Sequence, residues 1–377
     1  MDRAILAGLV GLLVGGTAWA GGPPGEGWDR KAAAGYLDGR QRAWFEYGGA
    51  NRGEGATRTS CVCCHTLVPF ALARPVLRRL DGERAPTALE AKIVDQVRLR
   101  VANWADLDAK PLRLLYDFDE AKKRESRGTE AVLNALILGL DDRNAGRIAP
   151  TEMTKTAFDH LWETQRDRGD GAGSWDWLDF GLEPWEAKSA GYFGATLAAI
   201  AVGSTPGYHR PGVDPVLDGR VDRLRRFLKD RLDAQNLYNR LAMLRASTSL
   251  GGLLDESGKA RIIGEVAAKR NDDGGWSLAS LGRYERSDGT PEATASDGYA
   301  TGLVLLVFRD AGLARDDPGV APGLAWLRSH QAPSGAWPGS SLNKERDPNS
   351  ANPSKAFVGK FMGDAATAYA VLALGRE

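Results

Sequence analysis

Residues 323–340, "GLAWLRSHQAPSGAWPGS", join an apolar helical pattern to Gln331, a turn that contains glycine, and Trp337. Three further segments follow this order to different degrees: "FDHLWETQRDRGDGAGSWDWL" (158–178), "IGEVAAKRNDDGGWS" (263–277, with Arg270 at the glutamine position) and "AAGYLDGRQRAWFEY" (33–47, without the glycine turn). The copies contain seven of the 11 tryptophans: Trp44, Trp162, Trp175, Trp177, Trp276, Trp326 and Trp337. An internal repeat of this kind indicates that similar helical units are stacked on one another.

Apolar segments rich in small residues lie between the copies: "EAVLNALILGL" (130–140), "SAGYFGATLAAIAVG" (189–203), "DGYATGLVLLVF" (297–308) and "GDAATAYAVLALG" (363–375). Each is long enough for three helical turns and is apolar nearly all round, which is typical of a fully buried helix. In contrast, "RVDRLRRFLKDRL" (220–232) has a charged face and an apolar face. Buried helices that alternate with half-exposed ones predict an all-α fold, an α/α toroid of concentric inner and outer helices.

Two of the copies carry a resemblance to a known family. Gln165 with Gly173-Ser174-Trp175, and Gln331 with Gly335-Ala336-Trp337, resemble the glutamine–tryptophan repeats of the prenyltransferase and squalene–hopene cyclase group. In that group the glutamine caps a neighbouring helix while its amide stacks on the tryptophan ring. The resemblance spans roughly residues 30–377 and implies an α/α toroid. It does not carry the cyclase chemistry with it, because one fold hosts many activities.

All three cysteines and one of the four histidines lie within "TRTSCVCCHT" (57–66). Cys61, Cys64 and His65 satisfy the C-x-x-C-H spacing, in which two thiols bond to one edge of a haem and the histidine binds its iron. We therefore expect one covalent haem c per chain, and this leaves Cys63 unassigned. A zinc site is weaker, because donors packed this closely can hardly surround one ion. A redox pair of Cys61 and Cys64 would normally begin a helix after a strand.

The second axial ligand of such a haem is not determined by the sequence. The candidates are Met153, His160, His209, Met243, His330 and Met362. The first of them lies far along the chain from His65, so the iron is either five-coordinate or bound by a residue of the main helical part. An open position would favour small-molecule binding over simple electron transfer.

The first 20 residues have the layout of a secretory signal peptide. An apolar run from Ala4 to Val14 follows a short charged start, and Ala18-Trp19-Ala20 supplies a cleavage site. The run is too short to span a bilayer, although a retained anchor is the alternative. We expect export to a periplasm, which agrees with the haem motif because this type of attachment occurs outside the cytoplasm.

The sequence suggests the following domain boundaries: signal peptide 1–20, linker 21–29, haem-attachment segment 30–110 and toroid 111–377, with 30–377 as one domain in the alternative. Lysine plus arginine (49) equals aspartate plus glutamate (49), which argues against a nucleic-acid or anionic-membrane surface. No later segment reaches about 18 uninterrupted apolar residues, so we expect no membrane span in the mature chain. Expected partners are a periplasmic redox protein and an apolar small molecule in the toroid cavity.

Three aspartates are candidates for proton donation in a cyclase-like reaction. Class II terpenoid cyclases use a D-x-D-D motif, and the nearest match is "YDFDEAKK" (116–123), which contains Asp119. The charged residues that follow it favour a helix cap or a solvated turn. Asp297 and Asp364 begin two of the buried helices, where a catalytic group or an N-cap would lie. A prenyltransferase zinc site is excluded, because no cysteine follows Cys64.

Three functions remain open from the sequence. The first is an exported haem protein for redox chemistry or small-molecule binding. The second is a terpenoid cyclase-like enzyme that acts on an apolar substrate. The third is a non-catalytic scaffold that binds a lipid or a sugar. The cluster "WDWLDFGLEPWE" (175–186) either lines a cavity, covers the haem or forms a buried corner.

Overall fold

The computed structural model describes residues 27–108 and 113–376, so the signal peptide at 1–20 and most of the linker lie outside the described residues. The described α-helices are α1 (Arg30–Glu46), α2 (Leu67–Leu80), α3 (Ala88–Ala102), α4 (Glu120–Asn144), α5 (Glu152–Glu163), α6 (Ala190–Ser204), α7 (Pro215–Asp230), α8 (Leu237–Ser249), α9 (Glu256–Ala267), α10 (Gly298–Asp310), α11 (Ala321–Ser329), α12 (Pro353–Gly359) and α13 (Phe361–Leu374). Strands β1 (Asn51–Arg52) and β2 (Thr59–Ser60) form a short antiparallel pair.

An inner ring of helices forms the core. It consists, in order around the ring, of α2, α4, α6, α8, α10 and α13, and α13 packs against α2 to close it. The neighbours run parallel, since Gly139 on α4 approaches Thr205 after α6, and Gly203 on α6 approaches Ser249 at the end of α8. Their side chains are buried nearly all round, as the apolar segments of the sequence predict.

An outer ring surrounds the inner one. It consists of α1, α3, α5, α7, α9 and α11, each packed on the inner helix that follows or precedes it in the chain. These helices bury only a stripe: α7 buries Val221, Leu224 and Leu228, and α9 buries Ile262 and Val266. The α/α toroid is therefore confirmed. The segment that carries the cysteines is integrated with it, because α1 and α2 are the first helices of the two rings.

The glutamine–tryptophan copies repeat one set of hydrogen bonds. Trp175, Trp276 and Trp337 each donate from the indole N–H to a carbonyl near the end of the preceding outer helix, at 2.7, 2.9 and 2.7 Å. Gln331 accepts from the backbone N–H of Asp29 at 2.7 Å and donates to its carbonyl at 2.8 Å, which ties the last outer helix to the first. These contacts carry the helix-capping role that the family resemblance implies for the glutamine.

A glycine two residues before each of these tryptophans has a positive φ. Gly335 has φ +87°, and a Cβ there would lie 2.1 Å from the carbonyl oxygen of Ala32 in α1. Gly173 has φ +96° and meets the backbone of Arg223 in α7 in the same way. Only glycine combines this backbone conformation with such close packing of the turn on the next outer helix.

Among the described residues, one stretch is long and apolar enough to span a membrane by length and composition. It runs from Pro353 to Leu374 and contains α13, which is an inner helix of the ring. About two-thirds of its most apolar window (67 %) is buried within the protein, so its apolar character is accounted for by the core.

Candidate functional site

The amino-terminal ends of the inner helices meet at one end of the toroid, which we call the amino mouth. The residues just before or within these first turns include His65, Glu186, Asp297 and Asp364. Each helix start has a partial positive charge from its free N–H groups. The fold therefore gathers the polar residues of distant segments into one place.

The three cysteines lie at this mouth, directly before α2, and all are buried at 3–8 % exposure. The backbone N–H of Cys61 donates to the carbonyl of Ala50 at 2.7 Å, and Trp44 donates to the carbonyl of Cys61 at 2.9 Å. The thiols are free. Burial raises the pKa of Cys61 to about 12 and the pKa values of Cys63 and Cys64 well above the usual range. The thiols are therefore protonated at neutral pH in the folded chain, and a redox pair of Cys61 and Cys64 stays a prediction.

Cys63, which the sequence left unassigned, has a structural role. Its sulfur accepts a hydrogen bond from the backbone N–H of Leu67 at 3.3 Å, and its carbonyl accepts one from Val68. Both donors belong to the first turn of α2, whose N–H groups have no partner within the helix. Cys63 thus helps to cap α2.

The imidazole of His65 is held in one tautomer by a hydrogen-bond relay. The hydroxyl of Thr66 donates its only hydrogen to Asp364 Oδ2 at 2.7 Å. The same hydroxyl oxygen lies 2.8 Å from His65 Nδ1, so it must accept there and Nδ1 must carry the proton. Nε2 therefore keeps its lone pair, and no residue within 27–108 and 113–376 forms a hydrogen bond with it.

The carboxylate of Asp364 anchors the relay. It is 1 % exposed and accepts from Arg40 Nε at 2.6 Å, from Arg40 Nη2 at 3.0 Å and from the hydroxyl of Tyr36 at 3.0 Å, in addition to Thr66. Both oxygens are therefore occupied. Asp364 lies in the first turn of α13, and its partners come from α1 and from the residue before α2.

Aromatic rings enclose His65. Phe361 stacks on the imidazole with ring centroids 3.7 Å apart, and Trp44 meets it edge-on at 5.0 Å. Burial lowers the pKa of His65 to about 3, and the charges of Arg40 and Arg346 act in the same direction. The imidazole is consequently neutral at physiological pH, although part of the residue remains accessible to solvent.

Glu186 is the second titratable group of the amino mouth, and sequence reasoning did not single it out as a site residue. Its backbone pairs with Leu182 in both directions, which fixes the loop, while its side chain has no hydrogen-bond partner among the described residues. Burial raises its pKa to about 7, against the opposing charge of Lys122. Its charge also raises the pKa values of Cys63 and Cys64, so the carboxyl lies within electrostatic range of the cysteine segment.

A chain of hydrogen-bonded aromatic residues begins at Trp185, next to Glu186 in the sequence. Trp185 donates to the hydroxyl of Tyr299 at 3.0 Å, and the hydroxyls of Tyr299 and Tyr238 are 2.8 Å apart. The rings of Tyr299 and Tyr369 meet edge-on at 5.0 Å. All four side chains are buried, and so are Trp175 and Trp177 of the tryptophan cluster at 175–186.

The other aspartates predicted from the sequence are placed as helix caps. Asp297 is buried and accepts from the backbone N–H groups of Leu278, Tyr299 and Ala300 at 2.7–2.9 Å. Burial raises its pKa to about 6 despite these bonds. Asp119 is exposed and caps α4 by accepting from Lys122 N–H. Capping thus occupies both carboxylates, and a catalytic role for Asp297, Asp364 or Asp119 stays a prediction.

The predicted second axial ligands are dispersed over the toroid. His160 and His330 lie at the ends of outer helices and stack on Trp104 and Trp326. His209 pairs with Asp218, and Met243 is buried within α8. Met362 alone among the six directly follows a residue that touches His65.

Comparison with known proteins identifies the architecture and nothing finer. No protein-family model matches the chain, and no curated protein matches it. The solved structure of a glycosidase variant superposes with a TM-score of 0.51, and the match covers 92 % of this chain and 98 % of that one. The shared fold is an α/α toroid. At 12 % sequence identity, the likeness shows the fold alone.

The described parts of the chain contain few clustered metal-ligating side chains. No group of three or more His, Cys, Asp or Glu residues in them is arranged to hold an ion. Only one valine interrupts the run of Cys61, Cys63, Cys64 and His65. Four side chains this close in sequence can hardly surround one zinc ion in tetrahedral geometry.

Glu186→Gln is expected to change how stability depends on pH. In the folded state Glu186 has a pKa of about 7 against 4.5 for an unperturbed glutamate, so the folded chain binds more protons between these values. The wild type should therefore lose stability as pH rises through that window, by about 2 kcal/mol from this group, while the variant avoids the loss. Urea denaturation of both chains at pH 5 and pH 8 measures the effect.

His65 has a lowered pKa in the folded chain, so it makes the free energy of unfolding rise with pH below the unfolded pKa near 6.5. This contribution is the same in the wild type and in Glu186→Gln, and it cancels when the two are compared. Glu256→Gln, an exposed position on α9, is the control and should follow the wild type at both pH values. If the difference in stability between the wild type and Glu186→Gln is the same at pH 5 and pH 8, burial does not raise the pKa of Glu186.

Proposed function

We propose that the chain is an exported c-type haem protein with its cofactor at the amino mouth of the toroid. Cys61 and Cys64 would bond to the haem through thioethers, and His65 would bind its iron through Nε2. The observation that carries this proposal is the relay from Asp364 through Thr66, which leaves Nε2 of a neutral imidazole without a proton. A proximal histidine needs this tautomer, held by a hydrogen bond at the other ring nitrogen.

The donor set fits the group in kind. Two thiols at the C-x-x-C spacing and the adjoining imidazole are the residues that hold haem c. The low pKa of His65 keeps the imidazole neutral, so no proton competes with a metal at Nε2. A bound haem would supply electron exchange or ligand binding at iron, and the chain would orient the histidine and exclude water with Trp44 and Phe361.

The burial of the cysteines sets an order of events. Cys61 is 5 % exposed and Cys64 is 8 % exposed in the folded chain, with α2 and β2 directly adjacent in sequence. Thioether formation on sulfurs this enclosed requires that the haem be attached before the toroid closes around them. Attachment to the newly exported, unfolded chain meets this requirement and agrees with the periplasmic location that we propose from residues 1–20.

The test uses the full chain expressed in a host that exports it and matures c-type cytochromes. We expect an intact mass increased by one haem and a Soret band that survives acid–acetone extraction. Cys61→Ser and Cys64→Ser should each reduce covalent attachment, and the double variant should abolish it. Cys63→Ser is the matched control and should retain the haem, because Cys63 serves as a cap of α2.

An unmodified mass for the wild type, from a host that modifies a control cytochrome in parallel, would overturn the haem proposal. Retention of the haem in the Cys61→Ser, Cys64→Ser double variant would overturn the residue assignment. The reduced-minus-oxidised spectrum then distinguishes a five-coordinate from a six-coordinate iron, which bears on ligand binding as opposed to electron transfer.

A second function is favoured by Glu186. A carboxyl with a pKa of about 7 is poised to donate a proton at neutral pH, as a general acid does in glycoside hydrolysis. A solved structure that shares the toroid is that of a glycosidase variant. Turnover of a panel of aryl glycosides by the wild type, lost in Glu186→Gln and retained in Glu256→Gln, would support this alternative. No turnover of the panel would leave it without support.

A further inference from the structure

The opposite end of the toroid, which we call the carboxyl mouth, gathers arginines from four segments. Arg79 lies near the end of α2, Arg143 near the end of α4, Arg245 in the second half of α8, and Arg376 just after α13. All four line one cavity of about 100 Å³. The cavity is lined by residues of α2, α4, α8, α10 and α13, so it is formed by five helices of the inner ring.

The positive charges of this cavity are only partly matched. Arg376 pairs with Asp310 at 2.8 Å, Arg79 donates to the amide oxygen of Asn144, and Arg245 donates to the hydroxyl of Tyr369. The guanidinium of Arg143 has no ion pair or hydrogen bond within the described residues. Of these four arginines, only Arg376 forms an ion pair within the described residues.

Helix dipoles account for a part of this arrangement only. The carboxyl end of a helix favours a nearby cation, which explains single arginines at these positions. Burial and the charges of neighbouring arginines nevertheless lower the pKa values of Arg143 and Arg79. The cluster therefore repels itself in the folded chain, and an anion in the cavity would relieve that repulsion.

We propose that the carboxyl mouth binds an oxyanion of the phosphate class, held by Arg143 together with Arg79, Arg245 and Arg376. Guanidinium groups match a phosphate through paired N–H donors, and hydrogen bonds between charged partners are about twice as strong as neutral ones. This site is separate from the amino mouth and does not depend on haem there.

A second cavity adjoins the arginine cavity. It has a volume of about 270 Å³ and shares Ala71, Leu140 and Asn144 with the arginine cavity. Its further lining combines apolar residues such as Pro75 and Ile137, whose surface predominates, with charged side chains: Arg78, Glu90, Asp95, Arg98, Asp141 and Arg147. The phosphate group could therefore belong to a free ion or to a molecule with an acyl chain that occupies the adjoining space.

The test is calorimetric titration of the full mature chain at low ionic strength with inorganic phosphate and, separately, with dodecyl phosphate below its micelle concentration. We expect saturable binding with one site per chain, weakened about tenfold in Arg143→Gln. The guanidinium of Arg143 has no ion pair or hydrogen bond to lose within the described residues, so the variant should fold. Arg168→Gln is the matched control, since it removes one charge from an exposed arginine that pairs only with Asp167.

Tighter binding of dodecyl phosphate would assign the site to a phosphate-bearing amphiphile, and equal affinity would assign it to the free oxyanion; both outcomes support the site. The absence of saturable binding for both ligands would overturn it. Equal weakening in Arg143→Gln and Arg168→Gln would also overturn it, because the attraction would then be that of the overall charge.

Discussion

Asp364→Ala should lower the free energy of unfolding by about 3–5 kcal/mol, because it leaves the guanidinium of Arg40 buried and unpaired. Arg40 is 9 % exposed and both of its bonds to the carboxylate, at 2.6 and 3.0 Å, would be lost. Tyr36 and Thr66 would lose their acceptor as well. In the wild type, the two hydrogen bonds to Asp364 compensate the cost of burying the charge of Arg40.

Urea denaturation at pH 7 measures the loss, and Asp222→Ala is the control. Asp222 forms an exposed ion pair with Arg225 at 2.9 Å on α7, and its removal should cost less than about 0.5 kcal/mol. A loss below about 1 kcal/mol in Asp364→Ala would contradict the buried network. Thr66→Val separates the relay from the ion pair: it should leave the Arg40 pair in place while the ¹⁵N resonances of the His65 ring report a changed tautomer population.

Glu130→Ala should have an effect of the same size, about 3–5 kcal/mol, on a second buried ion pair. Glu130 on α4 is fully buried and accepts from Arg100 Nη2 at 2.8 Å, while Arg100 on α3 is 1 % exposed. Arg100 also donates to the hydroxyl of Thr59 at 3.0 Å, close to the cysteine segment. Without the carboxylate, this guanidinium would lie uncompensated between the two rings.

A matched comparison exists on the same helix. Glu120→Ala removes an exposed pair with Lys123 at 2.7 Å, and we expect a change within about 0.5 kcal/mol. Glu130→Gln should fall between the two, because the amide oxygen keeps one hydrogen bond from Arg100. Similar losses for Glu120→Ala and Glu130→Ala, measured by urea denaturation, would show that burial adds nothing to the Arg100 pair.

The sequence predicted the inner helices where their apolar character is continuous. The segments at 130–140, 189–203, 297–308 and 363–375 all lie in or along inner helices. Helix α8 was not predicted as an inner helix, because Arg240 and Arg245 interrupt its apolar pattern. In the structure Arg240 pairs with Glu265 at 2.8 Å and Arg245 reaches Tyr369, so both charges leave the core.

The candidate site was predicted only in part. Cys61, Cys64 and His65 stand out because their spacing is local, and Asp364 because it begins an apolar helix. The partner of Asp364, Arg40, lies 324 residues away, and no local pattern connects the two. Glu186 belongs to the tryptophan cluster that stands out at 175–186, but its raised pKa results from burial, which the local sequence does not reveal.

The sequence alone determined the helical periods, the repeated glutamine–glycine–tryptophan turns and the C-x-x-C-H spacing, because each depends on residues within a short stretch of chain. Only the tertiary structure decided which imidazole nitrogen carries the proton, which carboxyl is protonated near neutrality and where the arginines gather. These properties depend on burial and on the charges of distant segments, which are set when the ring closes between α13 and α2.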